Sequence, residues 1–207
     1  MTVRGTPSDP GHGIPRHAPH PMFNPIEPNT EVYRQTVAEN IMAITEASSQ
    51  GLQQVLCFAL AGEAYALPIL KVREIQAQAT ITRIPKAPDY MPGVINLRGA
   101  IVPILELRHR FSLGDAPEAT RPVIVIVEAL KRTLGIRVDS VSDVLDLDPA
   151  AIRPAPDLGV QSALNREFIS GLASLPGASG SDTMLILLDL DRLLSDGELM
   201  ALEAATI

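Results

Sequence analysis

Few residues in this 207-residue chain have side chains able to do chemistry, and their spacing says more than their types. Glu74 and Asp143 occupy the same place in two matching phrases, Val72-Arg73-Glu74-Ile75 and Val141-Ser142-Asp143-Val144. Two carboxylates in equivalent settings are the raw material of an acid/base pair, but that chemistry needs one pKa raised, and no sequence neighbour raises either. His109, between Arg108 and Arg110, is the one histidine of the chain's body and reads as a surface side chain rather than a general base. His12, His17 and His20 lie in a Pro- and Gly-rich stretch without the rigid frame a metal site needs. Cys57, the single cysteine, sits in an apolar strand and reads as a small core residue rather than a nucleophile. Gly171-Leu172-Ala173-Ser174 has only a superficial likeness to a nucleophile elbow, and no phosphate loop, zinc-protease or C-x-x-C motif occurs. That leaves Arg98, one charge in the apolar run 92–104, with Gly93 and Gly99 at the ends of a short strand. An arginine there must reach solvent or pair with an acid, because an unpaired buried charge is costly. Glu74 is the plausible partner. The pair is either a surface ion pair contributing about 0–1 kcal/mol or a polar anchor on an apolar recognition face.

The elements that position these residues are duplicated. Leu56, Phe58, Leu60, Tyr65, Leu67, Val72, Glu74 and Ile75 recur 69 positions later as Val125, Val127, Ala129, Leu134, Ile136, Val141, Asp143 and Val144. The likeness continues at an offset of 78, where Tyr90 to Val94 resembles Phe168 to Leu172, and at 83, where Leu105-Glu106-Leu107 resembles Leu188-Asp189-Leu190. The growing offset implies loops inserted in the second copy over 148–164 and 176–182. A duplicated β unit of this size predicts two lobes with a seam between them, a place where partners bind. Alternation and turn residues predict an opening hairpin over 56–69 and further strands over 72–75, 81–84, 100–105, 123–128, 133–138, 141–147 and 184–189. Short helices are expected after Tyr90 and before Phe111. Short strands at this spacing predict small barrels rather than a parallel sheet.

Composition narrows the function. Hydrophobic residues make up 46% of the chain, enough for a core, but aromatics only 3% with no Trp, so aliphatic side chains must fill it. A net charge of −7 argues against nucleic-acid binding. No signal-peptide pattern opens the chain and no apolar run nears a membrane span of about 18 residues, so a soluble cytoplasmic protein is expected. A lone cysteine suits a reducing compartment. Residues 1–28, rich in Pro, Gly and His, are expected to be a disordered tail. Tyr33, Val37, Ile41 and Ile44 then form a stripe at helical spacing, so 29–52 reads as an amphipathic helix and linker that packs on the body, frays in solution or binds a partner. A last helix is expected over 196–204, with Ser195 and Glu198 as capping box and Leu194 and Leu199 as staple.

Several phrases together resemble the CheW family of bacterial chemotaxis coupling proteins. They are Ile69-Leu70-Lys71-Val72-Arg73-Glu74-Ile75, Gly93-Val94-Ile95-Asn96-Leu97-Arg98-Gly99 with Ile101-Val102-Pro103-Ile104, Val138-Asp139-Ser140-Val141-Ser142-Asp143-Val144, and Ile152-Arg153-Pro154-Ala155-Pro156. The resemblance spans a CheW-like domain over 53–205. It implies a mainly β fold of two pseudo-symmetric, five-stranded, SH3-like barrels enclosing an apolar seam, flanked by an N-terminal and a C-terminal helix.

The resemblance also implies function. CheW-like proteins are non-catalytic adaptors, without cofactor or metal, that bridge the cytoplasmic tips of methyl-accepting chemoreceptors to the regulatory domain of a CheA-like histidine kinase. They also meet other CheW-like domains in rings, and are recruited to membrane-associated receptor arrays without nucleic-acid binding or membrane insertion. Val72, Glu74, Gly93 and Arg98 fall where the family contacts receptor or kinase, and Ile75, Asn96, Leu97 and Gly99 complete the same phrases. Val141 and Asp143 extend the assignment through the repeat. The seam is expected to receive a receptor helix in its groove. The lead of about 50 residues exceeds the family's usual short one, and no receiver domain follows, which argues against the CheV arrangement. The contrasting class, an enzyme using the seam as substrate pocket, needs convergent titratable residues there. A second-messenger-binding module needs a basic or aromatic cluster.

Overall fold

The computed structural model describes residues 51–77, 79–117, 120–155, 167–175, 182–194 and 197–198. The expected tail and first helix lie outside the described residues, as does the last helix apart from Gly197 and Glu198, which are helical.

Alternation in β1 (Gln53–Leu60) sends Val55 and Cys57 to one side and Leu56, Phe58 and Leu60 to the other, and both sides are buried. A tight turn returns the chain as β2 (Glu63–Pro68), and a three-residue 3-10 turn, Ile69–Lys71, leads into β3 (Val72–Gln76). The first copy ends with β4 (Thr82–Arg83), β5 (Gly93–Leu97), β6 (Ala100–Glu106) and a one-turn helix, α1 (Leu107–Arg110). The second copy supplies β7 (Val123–Ala129), β8 (Arg132–Val138), β9 (Ser140–Leu147), β10 (Ile169–Leu175) and β11 (Thr183–Leu188).

The fold is mainly β, in two sheets that curl into barrels. One has the order β10-β11-β2-β1-β9, the other β3-β7-β8-β6-β5-β4. In the second, β4 is a two-residue strand paired with β5 at the end of the order. The first closes through Arg153, which follows β9 and exchanges backbone hydrogen bonds of 2.8 and 2.7 Å with Leu172 on β10. Gly93 and Gly171 permit the two closures. A Cβ on Gly93 would overlap the carbonyl oxygen of Thr82, and one on Gly171 would lie 2.5 Å from Ile152 Cγ2.

The two expected lobes are present, and each is composite. The hairpin β1-β2 of the first copy pairs with β9, β10 and β11 of the second, and the hairpin β7-β8 pairs with β3 to β6 of the first. The cause is connector length. Three residues join β2 to β3 and Asp139 alone joins β8 to β9, so each third strand turns out of its hairpin's sheet into the other. The corner at Asp139 is fixed by a largely buried ion pair. Arg108 Nε and Nη2 donate to its two carboxylate oxygens at 2.6 and 2.5 Å, and Ala61 N donates to the latter oxygen at 2.8 Å.

The seam is therefore core. Leu56, Phe58 and Leu60 of β1 face Val125, Val127 and Ile136 of the other sheet across a central layer, all at most 2% exposed. Every aromatic ring among the described residues joins one column. Phe58, Tyr65, Phe111 and Phe168 stack at 5.8, 5.9 and 5.8 Å, and the Arg110 guanidinium lies 4.8 Å from the Phe168 ring and 4.7 Å from that of Tyr90. Such spacings add stability beyond the buried area, so few aromatics organise an otherwise aliphatic core.

Two local expectations differ. The strand β10 was not foreseen, because Ser170, Gly171, Ala173 and Ser174 give it little apolar alternation. No helix follows Tyr90; Pro92 and Gly93 lead straight into β5.

Candidate functional site

The β5-β6 hairpin turns on Arg98-Gly99, with Leu97 paired to Ala100 across its base. Both turn residues have positive φ, +52° and +89°, the two-residue turn whose twist matches the flanking strands. That conformation costs a non-glycine about 1–2 kcal/mol. Asn96 offsets part of it, its Oδ1 accepting from Gly99 N at 2.8 Å. The outcome is an arginine held at the hairpin tip.

Glu74 meets it from β3. Arg98 Nη2 donates to Glu74 Oε2 at 2.6 Å, while Gln76, two residues along the same strand face, donates from Nε2 to Glu74 Oε1 at 2.7 Å. Both carboxylate oxygens are engaged and the Glu74 side chain is 14% exposed, whereas that of Arg98 is 71% exposed. Since β3 lies at one end of its sheet's strand order and β5 one strand from the other, the pair is a clasp across the barrel. Its outer face is a guanidinium with donors toward solvent. Apolar side chains flank it in sequence: Leu70 just before β3 is 76% exposed, and Ile101 on β6 is 54% exposed.

The structure sorts the expected residues. Glu74, Asn96, Arg98 and Gly99 gather at the clasp. Ile75 is buried in the central core, Val72 packs half-buried against it, Leu97 packs on the interior of its barrel, and Gly93 sits buried under β4. Val141 and Asp143 are not brought to the clasp. Both lie on β9 in the other sheet, Val141 in the central core and Asp143 exposed. Residues 176–181, where the repeat would place a counterpart of Arg98, include no basic side chain. Sequence reasoning missed Gln76, whose signal is its i+2 spacing from Glu74, and the exposed Leu70 and Ile101.

The geometry answers the catalytic alternatives raised by the sequence. Glu74 and Asp143 stand on different sheets and form no acid/base pair. Both ring nitrogens of His109 are engaged, Nδ1 at 2.9 Å from the Asp89 carbonyl and Nε2 at 2.9 Å from Asp115 Oδ1. These two bonds, the backbone one foremost, raise its pKa above the usual histidine value. Burial, with a smaller contribution from the charge of Asp143, pushes the Cys57 thiol up to about 12, so it is inert at neutral pH. Among the described residues no cluster of three or more His, Cys, Asp or Glu could hold a metal ion, and no helix is long and apolar enough to cross a membrane.

A family model described as a CheW-like domain matches residues 54–198. The chain belongs to the CheW family. Its curated relatives include the chemotaxis protein CheW of Klebsiella aerogenes, 42% identical over 147 residues that cover 71% of this chain and 84% of the relative. A probable chemotaxis protein CheW of Rhizobium etli is 33% identical over 150 residues, covering 72% of this chain and 92% of the relative. Among solved structures, the scaffolding protein TtCheW from Thermoanaerobacter tengcongensis superposes with a TM-score of 0.62 at 33% identity, over 70% of this chain and 95% of that one. CheW membership agrees with the two-barrel architecture described above.

Proposed function

We propose that this protein is a non-catalytic chemotaxis adaptor that couples the cytoplasmic tips of methyl-accepting chemoreceptors to the regulatory domain of a CheA-like histidine kinase. The observation that carries the reading is the clasp: a guanidinium exposed at a rigid hairpin tip, held by a carboxylate and flanked in sequence by exposed Leu70 and Ile101, on a CheW-like domain. A charged anchor among apolar side chains is the composition of a protein-recognition surface. The outer face of β3 and the β5-β6 hairpin form the principal contact, and a receptor helix lies along the solvent edge of the seam between the barrels. Contacts of about 800 Å² per partner are modest singly. Membership in a receptor array, including contacts with other CheW-like domains, supplies avidity and places this protein at the cytoplasmic side of the membrane.

The test is a pull-down of this protein and of Arg98→Glu against a chemoreceptor cytoplasmic fragment and the cognate kinase, with kinase autophosphorylation followed alongside. Binding of both partners, and receptor control of the kinase that depends on this protein, is the expected result. Binding of neither by the wild-type chain overturns the function while leaving the fold intact.

A further inference from the structure

A cleft of about 320 Å³ opens where the described body begins. Gln53, first residue of β1, forms part of its wall, with Pro68, Ile152 and Leu187 as its apolar lining and Ser170 and Asp189 among its polar lining. The Lys71–Asp191 ion pair, 3.1 Å long, also borders it. Leu70, neighbour of Lys71 in the same 3-10 turn, is the most exposed large apolar side chain among the described residues.

The chain itself carries a matching segment. Tyr33, Val37, Ile41 and Ile44 form one apolar stripe, with Glu39 and Glu46 off it. A single helix of this length gains most of its stability in water by packing such a stripe on a surface. Ser49 is four residues before Gln53, a span of at most about 14 Å, so the stripe is tethered to the cleft wall. Short tethers give effective concentrations of the order of millimolar.

From this we propose that residues 30–49 dock in cis, as an amphipathic helix, with their apolar stripe over this cleft and Leu70. Docking there covers the turn that leads into β3, so the segment competes with partners for the strand carrying Glu74. That consequence rests on the adaptor function proposed above; the docking itself does not.

The full chain tests it. A nitroxide is attached at Leu70→Cys and, separately, at Ser170→Cys beside the same cleft; Cys57 is 3% exposed and stays unlabelled. The expected result is that amide NMR signals of residues 33–46 lose at least half their intensity with either label, and regain it when Ile41→Asp is added. Full intensity with both labels overturns the proposal. So does equal broadening confined to mixtures of nitroxide-bearing and isotope-labelled chains, since the occupant is then a second copy. Receptor and kinase binding are measured separately, so failure of the adaptor reading is distinguishable from failure of the docking.

Discussion

Glu74 on β3 and Arg98 at the tip of the β5-β6 hairpin, 24 residues apart in sequence, join across one barrel, with an oxygen of the carboxylate 2.6 Å from a guanidinium nitrogen. The pair thus has two roles to separate, closing the barrel and presenting a charge. Exposed ion pairs contribute about 0–1 kcal/mol to stability, so presentation is the larger effect.

Arg98→Glu and Glu74→Arg are each expected to weaken receptor or kinase binding at least tenfold, while Arg98→Glu, at a side chain 71% exposed, shifts the stability by no more than about 1 kcal/mol. The double exchange should restore part of the binding. Affinity measured by calorimetry on all three variants checks this, and unchanged affinity in both single variants would remove the site.

The corner residue Asp139 behaves differently. Breaking its bidentate bond to Arg108 leaves a largely buried guanidinium uncompensated, which costs roughly 3–5 kcal/mol. Asp139→Ala should therefore lower the urea midpoint sharply, and a change within experimental error would show that the corner is held by packing alone.

His109 supplies a pH dependence of known sign. Its folded pKa is raised above the unfolded value of about 6.5 by the Asp89 carbonyl and Asp115 carboxylate. Its contribution is fully present below the unfolded pKa and is lost as pH rises through the folded one. The gap in Tm between wild type and His109→Gln should be wider at about pH 6 than at about pH 8.

Cys57 reports global opening. With its thiol pushed up to about 12 and 3% exposed, it should react with a thiol reagent at neutral pH only as fast as the protein unfolds. Reaction rates in increasing urea should track the unfolding transition, and rapid modification of the native protein would contradict the buried placement.

Much of this was legible in the sequence because it rests on local pattern. The 69-residue repeat, the β1-β2 hairpin, the helix before Phe111 and the partnership of Glu74 with Arg98 all follow from alternation or from the cost of an isolated charge. Two features were not legible. A repeat reports which segments are alike but not which of them pair, so the exchange of hairpins between lobes left no mark. Strand β10, built on Ser170, Gly171, Ala173 and Ser174, owes its place to its antiparallel pairing with β11 and the closing bridge to Arg153 rather than to propensity.

The exchange of hairpins has a consequence for synthesis on the ribosome. β1 pairs with β9, from Gln53 opposite Leu147 to Ala59 opposite Ser140, and β2 waits for β11, which ends at Leu188. The first hairpin thus emerges long before the strands that flank it, and its apolar face stays uncovered until nearly the whole chain has been translated. Contacts so distant in sequence slow folding and lengthen exposure to aggregation.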